Sequence, residues 1–275
     1  MISATWRKLA ATAAAIGLPA LTTVGCGASS SSSSAGISPS TSSATTTAQP
    51  SNASGSGGAQ PTVFAAASLT KVFPMIDPHA EFTFGGSGAL QTQIEQGAPA
   101  DVFAAASAKQ PAALYAKRMV DKPIKFATNT LVLIVPNGNP AHIRAVSEIT
   151  KPGVKLVICN ATVPCGDYAR TAFQNLGITS AAMKNVVSQA TDVTQVVAEI
   201  AVGQADAGFV YITDADAANG KVQVVRLPAQ AKPDTTDYIA VVKSSKNQAG
   251  AQAFTQKVLS PQGQAALAAA GFGKP

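Results

Sequence analysis

From Pro61 onward, short β-rich runs alternate with alanine-rich helical stretches, and that alternation restricts the chain to a small set of architectures. The runs expected as strands are Thr62–Ala66, Glu81–Phe84, Asp101–Ala104, Thr130–Val135, Lys155–Ile158, Ala207–Tyr211, Val222–Arg226 and Tyr238–Val242. Helical patterns fall between them near Leu69–Met75, Ala89–Glu95, Gln110–Lys117, Asp167–Asn175, Thr194–Val202 and Gly250–Leu259. A last helix is expected over Pro261–Ala270, with Pro261 suited to its first turn. Strand–helix alternation predicts α/β units with largely parallel sheets, and over roughly 210 residues it predicts two lobes rather than one sheet.

Several of the strand-to-helix junctions share a chemistry. The run Val63–Ala67 stops at Ser68, and Leu69-Thr70-Lys71-Val72-Phe73 can open a helix. A serine there brings a hydroxyl and free backbone N–H groups to one point, which suits an N-cap and equally suits an anion. Phe82-Thr83-Phe84 runs into Gly85-Gly86-Ser87-Gly88, another serine ahead of a helix. Val163-Pro164-Cys165-Gly166-Asp167 and Thr191-Asp192-Val193 precede helices too, with Thr191 or Asp192 as the cap of the second. In open α/β sheets such turns gather at the carboxyl ends of strands, where ligands bind. Four helix starts facing one cleft make an anion site without any formal positive charge.

The N-terminus reads as an export leader. Met1 to Lys8 is basic, and Leu9 to Val24 is apolar, interrupted by Pro19 and too short for a comfortable membrane span. Thr23-Val24-Gly25-Cys26 resembles a bacterial lipoprotein signal, with Thr23 standing where an aliphatic residue is usual. This implies removal of residues 1–25 and a lipid on Cys26; ordinary cleavage leaving Cys26 unmodified is the alternative. Residues 27 to 60 carry no charge and almost no large apolar side chain, so residues 26–60 are expected to form a disordered tether. With Cys26 set aside, Cys159 and Cys165 remain as a pair in an oxidising compartment. A disulfide closing a short loop is the expectation, and two separate thiols the alternative.

Composition excludes several classes. Charged residues are 12% of the chain, and removing Arg7 and Lys8 leaves eighteen basic residues against fourteen acidic ones, a formal +4. No Lys/Arg cluster stands out in the sequence, and aromatics are scattered, which argues against nucleic-acid binding. His79 and His142 are the only histidines and neither sits beside a cysteine, so a metal site is unsupported and both read as surface or loop residues. Gly86-Ser87-Gly88 has the look of a nucleophile elbow, but a hydrolase of that order needs a late histidine, and none follows His142.

Ala65-Ala66-Ala67-Ser68-Leu69-Thr70, followed by Gln93-Ile94-Glu95-Gln96-Gly97-Ala98-Pro99-Ala100-Asp101-Val102-Phe103, resembles the molybdate-binding proteins that feed ABC transporters. Val163–Ala169, Gly208–Ala215 and Gly263–Phe272 are similar to that family as well, so the resemblance runs through residues 61 to 275 in order. It implies a two-lobed periplasmic-binding-protein fold, each lobe a mixed, mostly parallel sheet flanked by helices, closing on a tetrahedral oxyanion. By the resemblance, Ser68 and Ser87 each give a hydroxyl and a backbone N–H, Cys165 and Val193 a backbone N–H, and Tyr211 its phenol hydroxyl. Lobe I would comprise residues 61–132 and 238–275, and lobe II residues 133–237, with crossings near Leu131–Leu133 and Asp237–Ile239. No cofactor is implied beyond the ligand, molybdate or tungstate. The partners implied are an ABC permease and, through Cys26, the outer face of the cell membrane, for a chain that acts as a monomer.

The sequence departs from the family at Cys165, where alanine is commoner, and at Gly86 and Gly88, where related sequences can have serine. Lys71 reads as a solvated helix residue. The alternative readings are a receptor for sulfate or another small solute on the same scaffold, a serine hydrolase using Ser87 or Ser68, and a tethered interaction module with a vestigial cleft.

Overall fold

The computed structural model of the chain describes residues 60–275; the leader, Cys26 and the serine-rich segment up to residue 59 lie outside the described residues. Two five-stranded sheets organise the rest. The first contains β1 (Thr62–Ala66), β2 (Glu81–Gly85), β3 (Val102–Ala105), β4 (Ile124–Thr128) and β10 (Thr236–Val241), in the order β2-β1-β3-β10-β4. The second contains β5 (Leu131–Pro136), β6 (Leu156–Cys159), β7 (Val186–Ala190), β8 (Ala207–Tyr211) and β9 (Val222–Arg226), in the order β7-β6-β8-β5-β9.

Each sheet has one reversed strand. β10 pairs antiparallel with both β3 and β4, and β5 does the same with β8 and β9, while the other four strands of each sheet run one way. β1, β3, β5, β6 and β8 are buried throughout or nearly so, and their uninterrupted apolar runs fit strands covered on both faces. The cover is supplied by α1 (Phe73–Ile76), α2 (Ser87–Glu95), α3 (Lys109–Ala116), α8 (Gln248–Leu259) and α9 (Pro261–Ala269) on the first sheet. On the second it comes from α4 (Pro164–Asn175), α5 (Thr179–Lys184), α6 (Val193–Ala201) and α7 (Ile212–Ala217). Phe73, Phe82, Phe126 and Phe254 form an aromatic cluster in the first core, and Phe173 packs edge-on against Phe209 in the second.

Local chemistry explains the boundaries. Asp192 caps α6 by accepting the Gln195 amide at 3.0 Å, and Val193, Val196 and Ile200 fall on the buried face. Ser260 caps α9, with Pro261 opening the helix as expected. The expected Leu69–Met75 helix is split into a 3-10 turn, Ala67–Leu69, and the short α1, which restarts with Pro74 near its beginning. β4, β7, α5 and α7 were not expected from the sequence. β4 and β7 are half-exposed strands carrying Lys125, Ser188 and Gln189, so their apolar signal is diluted. α7 follows β8 without an intervening loop, hiding the change of period.

The chain leaves the first sheet after Thr128 and enters the second at Leu131, returning between Arg226 and Thr236. Leu131–Leu133 and Asp237–Ile239 therefore lie within strands just beyond the passages, and the first passage is Asn129–Thr130. There the Asn129 amide donates to the Thr235 carbonyl at 2.9 Å, the Thr235 hydroxyl donates to the Asn129 carbonyl, and Asn129 Nδ2 donates to Thr213 Oγ1 at 2.9 Å. The two connecting strands are thus stitched together where they cross. Among the described residues, no helix is long and apolar enough to cross a membrane.

Candidate functional site

One small cavity, about 10 Å3, is bordered by the carboxyl ends of six strands, three from each sheet. β1 brings Ala66-Ala67-Ser68, β2 brings Gly85-Gly86-Ser87 and β3 brings Ala106. From the other sheet, β6 leads to Val163-Pro164-Cys165, β7 to Asp192-Val193, and β8 ends at Tyr211. Ser68, Ser87, Cys165, Val193 and Tyr211 all border this one space.

Ser68 sits in the 3-10 turn rather than at a helix cap, and its buried Oγ has no hydrogen-bond partner. Ser87 opens α2 and is 1% exposed; its Oγ accepts the Ala106 amide at 3.2 Å, leaving the hydroxyl hydrogen to point elsewhere. Cys165 and Val193 lie in the first turns of α4 and α6, where backbone N–H groups have no intrahelical acceptor. Tyr211 is 2% exposed and its phenol hydroxyl is also without a partner. Buried polar atoms are nearly always satisfied, so two orphaned hydroxyls beside two helix N-termini point to a ligand that accepts hydrogen bonds.

Electrostatics give the same sign. No lysine or arginine borders the cavity, and Asp192 is the only charged residue that does, its carboxylate engaged with the Gln195 amide. Burial, with the charges of Tyr168, Asp237 and Asp214 adding, pushes the Tyr211 phenol well above its ordinary range, so it keeps its proton and acts as a donor. Asp214 accepts the Tyr211 amide at 2.9 Å, and burial pushes its carboxyl up to about 7 against the opposing effect of that bond. Asp237 on β10 is 1% exposed with neither carboxyl oxygen partnered; burial, then the charge of Asp214, raises it far above the usual carboxylate range. Carboxyls raised in this way repel an anion in the cavity less than ordinary, fully ionised ones would.

The lobes meet around this space. A Cβ built on Gly86 would collide with the Thr191 carbonyl oxygen, and one on Gly88 with that of Thr162, so backbone meets backbone and only glycine fits. This accounts for the two glycines flanking Ser87. Gln110 Nε2 donates to the Thr162 carbonyl at 3.2 Å, and Lys109 pairs with Asp167 at 3.1 Å, an exposed pair of small energetic weight. Lys71 is exposed as expected, but its Nζ donates to the Ala217 carbonyl at 2.6 Å and so ties the first lobe to α7. A larger cavity of about 550 Å3 adjoins past Ala67 and Ser68; its walls are mainly alanine, valine, Met75 and Phe272. Cys159 and Cys165 are joined by a disulfide. His79 and His142 are exposed, and no group of potential metal ligands occurs among the described residues.

Sequence reasoning missed Gln110, Asp214 and Asp237. Asp214 had a usable signal, an acid three residues after a strand end. Asp237 had another, a carboxylate inside the apolar run Thr236–Val241.

Residues 62–273 match the family model described as bacterial extracellular solute-binding protein. The molybdate-binding protein ModA of Mycobacterium tuberculosis is 39% identical over 223 residues, 78% of this chain and 84% of the relative. ModA of Escherichia coli is 31% identical over 219 residues, covering 73% and 84%. Among solved structures, the periplasmic molybdate-binding protein of Azotobacter vinelandii superposes with a TM-score of 0.69 at 25% identity, covering 78% of this chain and all of that one. These relatives are binding proteins, which removes the hydrolase reading of Ser87. The chain belongs to the bacterial extracellular solute-binding proteins.

Proposed function

We propose that this chain captures molybdate, or its close analogue tungstate, between its two lobes and delivers it to the permease of an ABC transporter. The observation that carries the reading is the convergence of six strand ends on one small cavity holding two orphaned hydroxyls, two helix N-termini and no cation. Relatives named for molybdate binding, at 39% and 31% identity, support it, as does the 32%-identical substrate-binding domain of a molybdenum ABC transporter from Clostridium difficile.

In this reading Ser68 and Ser87 donate hydroxyl and backbone N–H groups, Cys165 and Val193 donate backbone N–H groups, and Tyr211 donates its phenol. Stripping water from a dianion in an uncompensated apolar site costs tens of kcal/mol. Each charge-assisted hydrogen bond returns about 1.5–3 kcal/mol net, so donors from both lobes must meet every oxygen. Donors alone also select. A phosphate that keeps a proton at neutral pH needs an acceptor, whereas molybdate and tungstate carry none. Contacts available only when both walls meet make the ligand stabilise the closed form.

The lobes of this reading are residues 61–132 with 238–275, and residues 133–237, bounds that fall one or two residues inside β5 and β10, the strands that begin the second sheet and resume the first. Residues 1–25 act as the export signal, and Cys26 carries the lipid that holds a monomer at the outer face of the cell membrane by its Ser/Thr/Gly-rich tether. No cofactor is required. A calorimetric titration with molybdate, tungstate, sulfate and phosphate tests the function: tight binding of the first two is expected. Preference for sulfate or phosphate, or no binding of any oxyanion, overturns it.

A further inference from the structure

The segment 160–164 does two jobs at once. It leads into the first turn of α4, which presents the Cys165 amide to the cavity, and its Thr162 carbonyl is the point where the second lobe meets Gly88 and Gln110 of the first. A loop with Ala161 and Thr162 exposed to solvent would ordinarily be mobile. Here three ties close it at the base. The disulfide joins Cys159, the last residue of β6, to Cys165, and both are fully buried. Gly166 lies so close to the carbonyls of Cys159 and Asn160 that no Cβ fits. Arg170 Nη1 donates to the carbonyls of Cys159 at 3.1 Å and Gly166 at 2.8 Å, while Nη2 donates to Gln189 Oε1 at 2.9 Å on β7.

We infer that Cys159 and Arg170, neither of which borders the cavity, are positioning residues that set oxyanion affinity and size discrimination by holding this loop in its binding geometry before the ligand arrives. The inference rests on the oxyanion reading of the site. Its physical basis is preorganisation: a loop already fixed pays no ordering entropy on capture, and amides already aimed do not adapt to a smaller anion. The burial of both sulfurs keeps the bridge away from thiols in solution, so it serves as a fixed brace and not as a switch.

The test compares the full chain with its Cys159→Ala/Cys165→Ala double variant by calorimetric titration with molybdate and with sulfate. Ligand-free thermal unfolding and circular dichroism at the titration temperature accompany it. Failure of the unaltered chain to bind either anion counts against the proposed function and not against the brace. Given binding, the folded double variant is expected to bind molybdate about tenfold more weakly, the size of effect that ordering one more residue on capture produces. Its molybdate-to-sulfate affinity ratio is expected to fall, which a loss of global stability alone would not cause. A lower unfolding midpoint with unchanged affinity and ratio overturns the inference, because the bridge would then be a stabiliser only. If the double variant does not fold, Arg170→Lys decides: the bridge stays, the forked bonds go, and about threefold weaker binding is expected, against no change if the inference is wrong.

Discussion

Ser87 Oγ accepts the Ala106 amide at 3.2 Å, tying the start of α2 to the end of β3. Because the amide occupies a lone pair, the hydroxyl's hydrogen is left free to be donated, and Ser87 borders the cavity where a ligand would accept it. Ser87→Ala removes that donor and strands a buried amide. We expect affinity for molybdate to fall about 10- to 100-fold and stability to drop by about 1 kcal/mol or more, read by calorimetric titration and by chemical denaturation. An unchanged affinity would show that the anion sits elsewhere.

Tyr211→Phe separates stability from function. The phenol hydroxyl has no partner within the chain, so removing it breaks no intramolecular hydrogen bond. The unfolding midpoint without ligand should rise or hold, while oxyanion affinity falls at least tenfold as one charge-assisted bond is lost. A fall in both quantities would mean that the hydroxyl has a structural partner.

Gly88→Ala places a methyl against the Thr162 carbonyl of the facing lobe, where the backbones meet too closely for it. Binding should weaken by more than tenfold with little change in ligand-free stability, since the open form has room for the methyl. Small-angle scattering with saturating molybdate then shows the variant more extended than the parent. Equal compactness would refute this account of closure.

The buried acids set a pH dependence. The Asp214 carboxyl is pushed up to about 7 from an ordinary 3.8, chiefly by burial, so the folded form holds its proton more tightly than the unfolded form does. That contribution is complete below the unfolded value and is lost as pH rises through 7. Asp237, shifted in the same direction by burial and by the charge of Asp214, adds a contribution of the same sign. The ligand-free unfolding midpoint should therefore be higher at pH 5 than at pH 8. Asp214→Asn, which still accepts the Tyr211 amide, should flatten the dependence; an identical pH profile in the variant would count against it.

Much of this arrangement was legible in the residues because local chemistry and tertiary role coincide. Thr62–Ala66, Ala207–Tyr211 and Val222–Arg226 are strands over the residues expected, and the serine and glycine junctions lie where strand ends meet helices. What stayed hidden depends on partners distant in sequence. Nothing around Gly86 and Gly88 discloses that the Thr191 and Thr162 carbonyls will press on them, and nothing around Lys71 discloses the Ala217 carbonyl. The role of Ser68 was half legible. Its position after a strand was apparent, but its lack of a capping bond emerges only from the 3-10 turn that holds it.

The two reversed strands carry a consequence for how the chain is made. β10 lies between β3 and β4, so β4 has no place in the first sheet until residues 236–241 have emerged, whereas the second sheet is complete at Arg226. Synthesis from the N-terminus therefore finishes the later lobe first and leaves the earlier one with two unpaired strand edges, β3 and β4, open to aggregation. A chain ending at residue 235 should keep protected amides in β5–β9 and lose them in β1–β4, as hydrogen exchange would show. The last forty residues thus complete the lobe that the first strand began.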